Sequence, residues 1–486
     1  MDNMHKAIFI NKPLDFGRIK AVGFSIDHSI VQYTEKFYEL IHTLIIELLI
    51  EKYSYPDTIR ELKYIHNLHA AVAAVDKTTG CALQVDEFGN IICCIQGFLP
   101  LTKPQFTQIY PDRAVRLEQS RYFVPEVSFH QILIQLYCQI VHQFIITYQQ
   151  TSDPLVKQCQ NPQPYIPTTS PTKGRLDFMS LFADVSAVYQ LIMTKRKILS
   201  QRAFENPSQY FKQSVNLKQT LQKLALSKKL FVLTDLDYDY VNGVLKFVIG
   251  EDYLTYFDQI IVSRSMNQFF NDKKPFRKYF DNERVIGLGA TSMLERNQIY
   301  YNGNIFDFEE QSGVKAKNTL YVSDQFMHNE EIYNGGLWHF CQVCPQLEQE
   351  FQVIKKNTNL LSQVQKLRNQ QRTIMSHHTS YDIDPPEELL AQRGLKDAAA
   401  MELQQQFGPF GSSFFTFWSL TYFGAKLRRS CDIYCVTGLA FKYYASFYMF
   451  AVQAQNRFLP HQMIEMKMDE MTEAGGEEKV VDSETE

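Results

Sequence analysis

The chain has 486 residues, enough for two or three domains with full-sized cores, and 45% hydrophobic against 21% charged residues exclude disorder throughout. A net charge of −4 and a pI near 6.3 leave no general basic footprint for nucleic acid, so the expected partners are proteins or small molecules. Nine cysteines, scattered and odd in number, read as thiols of a reducing compartment rather than a disulfide framework.

Residues 1–6 lack the apolar run of a signal peptide, and the expected location is cytoplasmic. A mitochondrial location within a large complex is the alternative, because Lys6, Lys12, Arg18 and Lys20 face only two acids nearby. An apolar strand from Lys20 to Phe24 runs into the polar turn Ser25-Ile26-Asp27-His28-Ser29, the kind of strand-end turn where α/β proteins place their chemistry. Helical spacing of apolar residues predicts a helix over 37–52, ending before Tyr55-Pro56. Leu83 and Val85, the turn Glu87-Phe88-Gly89-Asn90, and Ile91 to Ile95 predict a hairpin, opening an α+β insertion that continues through a helix over 127–148. The apolar runs 40–50 and 132–148 are interrupted by polar residues and fall short of a membrane span of about 20 residues, so any membrane contact is expected to be indirect. Five prolines between 151 and 173 mark an exposed loop.

Helices are predicted over 176–199 and 215–227. They alternate with strands at 230–233, 257–262, 319–322 and 338–344, which argues for a parallel sheet with crossover helices. Leu347 to Gln371 reads as one long amphipathic helix. The aromatic stretch 414–458 reads as a packed helical subdomain, and the acidic tail 466–486 as disordered.

Three strand-end turns, Ser25-Ile26-Asp27, Thr234-Asp235-Leu236-Asp237 and Ser323-Asp324, together resemble the phosphatase motifs of the haloacid dehalogenase superfamily. Gly23-Phe24-Ser25-Ile26-Asp27-His28-Ser29-Ile30, with Tyr33 after it, is similar to the opening motif of the cytosolic purine (IMP/GMP-specific) 5'-nucleotidases. Further matches are Val85 to Ile91 with Gly97-Phe98, Phe178-Met179-Ser180 with Phe182 to Val185, Tyr256-Phe257-Asp258, Gly411 to Phe414, Asp432-Ile433-Tyr434 and Phe458 to His461. The resemblance spans residues 20–462 and implies an α/β fold. Its Rossmann-like parallel core would comprise 15–52 and 176–345, with an inserted α+β cap over 53–175, a helical region over 346–465 and the tail over 466–486.

In that family an aspartate attacks the phosphate, a second aspartate two residues later is acid and base, and Mg2+ neutralises the phosphate. Carried over, Ser25 stands at the nucleophile and Asp27 at the acid/base position. Thr234 matches the phosphate-holding hydroxyl, with Asp235 in place of an asparagine, where a carboxylate repels phosphate. Met266 stands where a lysine is expected, with Lys273 and Lys274 further on. Asp324 is kept, but Ser323 replaces a glycine and Asn329 the second metal carboxylate. Ser186 and Gln190 replace an arginine and an aspartate of the base-binding segment. The resemblance thus implies a catalytically inactive relative with no cofactor and no metal, any residual ion falling to Asp27 and Asp324. Such a relative is expected to act as a structural or accessory subunit, or to self-associate. The alternative is a divergent Mg2+-dependent phosphatase in which Asp27, Asp235 and Asp324 hold the metal.

The remaining constellations read as structural. Cys341 and Cys344 form a lone C-x-x-C on a buried strand, and Cys93 and Cys94 point to opposite faces of theirs. His377-His378 lie in a polar stretch, Asp235, Asp237 and Asp239 read as a solvated loop, and Arg428-Arg429 as helix surface charge. A Ser25 nucleophile activated by His28 lacks an orienting acid.

Overall fold

The computed structural model describes residues 4–152, 163–165, 176–280, 285–325, 338–378, 384–416 and 418–451. Its frame is a ten-stranded sheet with spatial order Ile8–Ile10, Ile433–Cys435, His339–Val343, Thr319–Ser323, Ala21–Phe24, Lys229–Leu233, Gln259–Val262, Gln298–Asn302, Phe276–Phe280 and Val285–Ile286. The seven strands from Ile433–Cys435 to Gln298–Asn302 are parallel, and the three outer strands are antiparallel. Ala21–Phe24 is buried at all four positions, as a parallel strand covered on both faces must be. From this strand the chain builds one half of the sheet, through Lys229–Leu233 to Gln298–Asn302, and then crosses to the other side to add Thr319–Ser323. The strand order therefore reverses beside Ala21–Phe24, and a crevice opens at the carboxyl ends of such strands.

A second, five-stranded antiparallel sheet lies between the first and second core strands in sequence, with order Leu99–Pro100, Ile91–Gln96, Cys81–Val85, Ala74–Asp76 and Tyr122–Phe123. Helices Glu35–Tyr53, His130–Ser152 and Phe178–Lys195 pack together beside it. In the first of these, Phe37, Ile41, Leu44, Ile45 and Leu49 recur at helical spacing on the buried face. His42 is buried among them and shares a 2.8 Å hydrogen bond with the Gln139 amide oxygen.

Several expectations are corrected. The helix read as continuous from 347 to 371 is two, Leu347–Lys356 and Thr358–Ser376, broken at Asn357, whose backbone leaves the helical range. The helix read over 176–199 is also two, Phe178–Lys195 and Lys197–Ala203, because Arg196 adopts a left-handed conformation with φ 51°. The stretch 414–458 is not helical throughout its described part: after helix Tyr422–Ser430 it supplies the strand Ile433–Cys435, which pairs in parallel with His339–Val343. Strands Ile8–Ile10, Phe276–Phe280 and Gln298–Asn302 had no reading in the sequence. Asn329, most of the proline-rich loop and the acidic tail lie outside the described residues.

Candidate functional site

The turn after Ala21–Phe24, Thr234 after Lys229–Leu233 and Asp324 after Thr319–Ser323 sit at the carboxyl ends of three adjacent strands, so the fold brings the three sequence motifs to one crevice. Ser25 is buried, and its hydroxyl donates to Ser29 Oγ at 3.1 Å. Thr234 is buried with its hydroxyl oxygen accepting the Leu236 N–H at 3.2 Å. Asp235, by contrast, is exposed, Asp237 accepts the Ser263 hydroxyl at 2.8 Å, and Asp239 is exposed. Met266 opens the helix Met266–Asn271 and is buried among Phe269, Phe270 and their neighbours, an apolar position. Lys273, Lys274 and Gln190 are exposed.

Asp27 is where the site departs most from the sequence reading. Arg196 grips its carboxylate bidentately: one terminal nitrogen donates to Oδ1 at 2.8 Å and the other to Oδ2. The Tyr33 hydroxyl donates to the same Oδ1, and the Tyr240 hydroxyl lies 3.3 Å from that of Tyr33. The guanidinium carbon is 4.8 Å from the centre of the Tyr240 ring and 5.5 Å from that of Phe129, distances at which aromatic faces stabilise a cation. Arg196 is only 3% exposed. Burial alone would raise the Asp27 pKa, but Arg196 and Tyr33 outweigh it and hold the carboxyl below its usual range. Reciprocally, burial disfavours the guanidinium charge, yet Asp27 raises the Arg196 pKa well above its ordinary value. A planar fork matched to a carboxylate is a strong, directional contact, and here it uses both oxygens of Asp27.

Asp324 has the opposite environment. Its carboxyl is buried with neither oxygen hydrogen-bonded, and burial pushes its pKa well above the usual carboxylate range. His28 Nε2 stands 3.9 Å away and 3.4 Å from the Tyr38 hydroxyl. Burial drops the His28 pKa to about 4, against the pull of Asp27, and the ring is neutral at ordinary pH. No hydrogen bond joins His28 to Ser25 among the described residues, so the pair does not form a nucleophile and base. The cavity that reaches Asp324 measures about 50 Å3, room for a few waters and far below the roughly 300–1,000 Å3 of ligand pockets; Ser25, Asp27 and Thr234 do not line it.

These residues do not fit Mg2+. The ion takes carboxylate oxygens in octahedral geometry, whereas both oxygens of Asp27 are already taken by the Arg196 guanidinium. No group of three or more His, Cys, Asp or Glu that could hold a metal occurs among the described residues. Cys341 and Cys344 are buried, with Cys341 Sγ 3.7 Å from Cys435 Sγ, while Cys94 is buried and Cys93 half-buried. His377 and His378 are exposed. The sequence reading missed Arg196 altogether. Its only visible mark was a Lys195-Arg196-Lys197 run inside what read as one helix.

A rat (Rattus norvegicus) protein described as 5'-nucleotidase domain-containing protein 2 is 22% identical over 439 residues, which is 88% of this chain and 75% of the relative. Among solved structures, a predicted phosphoglycolate phosphatase from Haemophilus somnus 129pt aligns with 67% of this chain and 85% of its own, at 12% identity and a TM-score of 0.25. No helix among the described residues is long and apolar enough to cross a membrane. The sequence profile of the 5' nucleotidase family matches residues 8–464, and the chain belongs to that family.

Proposed function

We propose that this protein is a catalytically inactive member of its family, retained as a structural or accessory subunit of a larger protein assembly. The observation that carries the reading is the Arg196–Asp27 ion pair. A general acid must exchange its proton with substrate, and a metal-assisted site must leave oxygens open for the ion; Asp27 gives both oxygens to Arg196. With Ser25 at the nucleophile position and Met266 in an apolar core, nucleophile, acid and balancing cation are lost together. Losses that act on one transition state need not add, but the first already costs several orders of magnitude. On this reading the second sheet and its helices are the remnant of a cap. The chain is then kept for its surfaces, and it acts in the cytoplasm or inside a mitochondrial complex.

Helix Glu387–Gln405 shows exposed Leu390, Leu395 and Met401, and Trp418 is 59% exposed. Isolated apolar side chains of this kind are ordinary on a surface, and a cluster of them marks where to look for a partner. The test is an assay of the purified protein with IMP, GMP and a generic phosphate ester in Mg2+. No turnover is expected from the native chain, and hydrolysis that Asp324→Ala abolishes would sink the proposal in favour of a divergent phosphatase. Native co-purification followed by mass spectrometry is expected to recover stoichiometric partners or further copies of the chain; recovery only as a free monomer would contradict the subunit role.

A further inference from the structure

At the opposite end of the sheet from the crevice, a cleft of about 690 Å3 is lined by Pro13, Leu14, Arg18, Ile19, Lys20, Lys317, His339 and Met449, among others. Its charged lining is Asp15, Arg18, Lys20 and Lys317, a net of two positive charges. Arg18 pairs with Asp15 at 3.1 Å and His339 with Asp432 at 3.4 Å, whereas Lys20 and Lys317 are exposed and have no ion pair among the described residues. Apolar Pro13, Leu14, Ile19 and Met449 line it beside the two lysines.

We propose that this cleft seats the acidic C-terminal segment of the same chain, residues 465–486. Three observations converge. The first is place: strand Met449–Phe450 pairs with Leu14–Asp15, Met449 itself lines the cleft, and the described chain leaves from residue 451. Fourteen residues separate 451 from 465, a reach of up to about 50 Å when extended, so the segment starts close enough to fold back on its own point of exit. The second is charge. Residues 465–486 hold nine acidic and two basic side chains, a net −7 in a chain whose total is −4, so the preceding 464 residues are net +3 and the acid is concentrated in this segment. The third is apolar content: Met466, Met468, Met471, Val480 and Val481 are interspersed with the carboxylates and match a cleft that is itself both cationic and apolar. Tethering makes such an encounter intramolecular, at an effective concentration in the millimolar range, so weak individual contacts suffice. The contact would cover the lower rim of the sheet and compete with any other anionic partner there. It does not depend on whether the crevice at the other end is active.

Carbodiimide cross-linking of the full-length protein, which joins carboxylates directly to nearby lysine amines, tests the proposal. Peptides linking Lys20 or Lys317 to the carboxylates of 465–486 are expected as the dominant products. In a mixture of 14N- and 15N-labelled protein they should stay within one copy. Their yield should fall at least fivefold in 0.5 M NaCl and in Arg18→Glu, an exposed substitution that leaves both reporting lysines in place. Links spread over lysines elsewhere, links between labelled and unlabelled copies, an absence of links, or a yield indifferent to salt and Arg18→Glu would each overturn it.

Discussion

Arg196 and Asp27 lie 169 positions apart in the chain and share one buried contact, which makes the pair a sensitive probe of the site. Removing one member of a buried ion pair strands the other, at a typical cost of about 3–5 kcal/mol, while replacing both by apolar groups of similar volume is far milder. Arg196→Met is therefore expected to lower the unfolding free energy by about 3 kcal/mol or more, and Asp27→Leu in the same chain to recover most of that loss, in urea titrations at pH 7. Ser25→Asp alone is expected to restore no phosphate hydrolysis, since the Arg196 fork still holds Asp27; hydrolysis by Ser25→Asp with Arg196 intact would contradict the inactive reading. The buried histidines give a pH signature. Burial holds His69 down to about 4, whereas an unfolded histidine titrates near 6.5. Between those values the unfolded state binds a proton that the folded state refuses, so stability falls as pH drops from 6.5 toward 4, by up to about 1.4 kcal/mol per pH unit. His69→Gln should reduce that slope by one histidine's share, with the shares of His28 and His130, also held near 4 by burial, remaining. Asp27 and Asp324 were legible from motif spacing, but the guanidinium between helices was not, because nothing local in a sequence reports a partner so far away.

Among the elements, the central strand owes its fit to a missing side chain. A Cβ on Gly23 would lie 2.3 Å from the Phe231 ring on the neighbouring strand, and Phe231 is itself buried. Gly23→Ala forces that ring from its place in a packed core, with an expected loss of about 2 kcal/mol or more, and Gly23→Ala with Phe231→Leu should regain part of it by thermal denaturation. Helix Leu347–Lys356 carries a titrating group of the opposite kind. Glu350 is buried, the Ser412 hydroxyl donates to it at 2.5 Å, and burial pushes its pKa up to about 8. An unfolded glutamate titrates near 4.3, so the stabilising protonated form is fully present below that value and is lost as pH rises toward 8. Glu350→Gln should remove this loss between about pH 4.3 and 8, leaving the opposite slope that the buried histidines give below about 6.5. Long apolar runs made the central strands readable, whereas the three-residue strand Ile433–Cys435 hid among aromatic residues suited equally to helix packing. The breaks at Arg196 and Asn357 carry neither glycine nor proline, the usual marks of an interrupted helix.

Across the whole molecule, the alternation of strands and helices announced a parallel sheet, and the strand-end turns announced where its crevice lies. Sequence could not show how the sheet is closed, because its outer strands are short and recruited from distant parts of the chain. Ile8–Ile10 caps one edge by pairing antiparallel with Ile433–Cys435, with Ile8 opposite Cys435. During synthesis at about 5–20 residues per second, the first strand to leave the ribosome waits roughly 20 to 85 seconds for the partner that completes it. Throughout that interval the sheet edge is unfinished, so a chaperone that shields exposed strands should engage the nascent chain until the last core strand emerges.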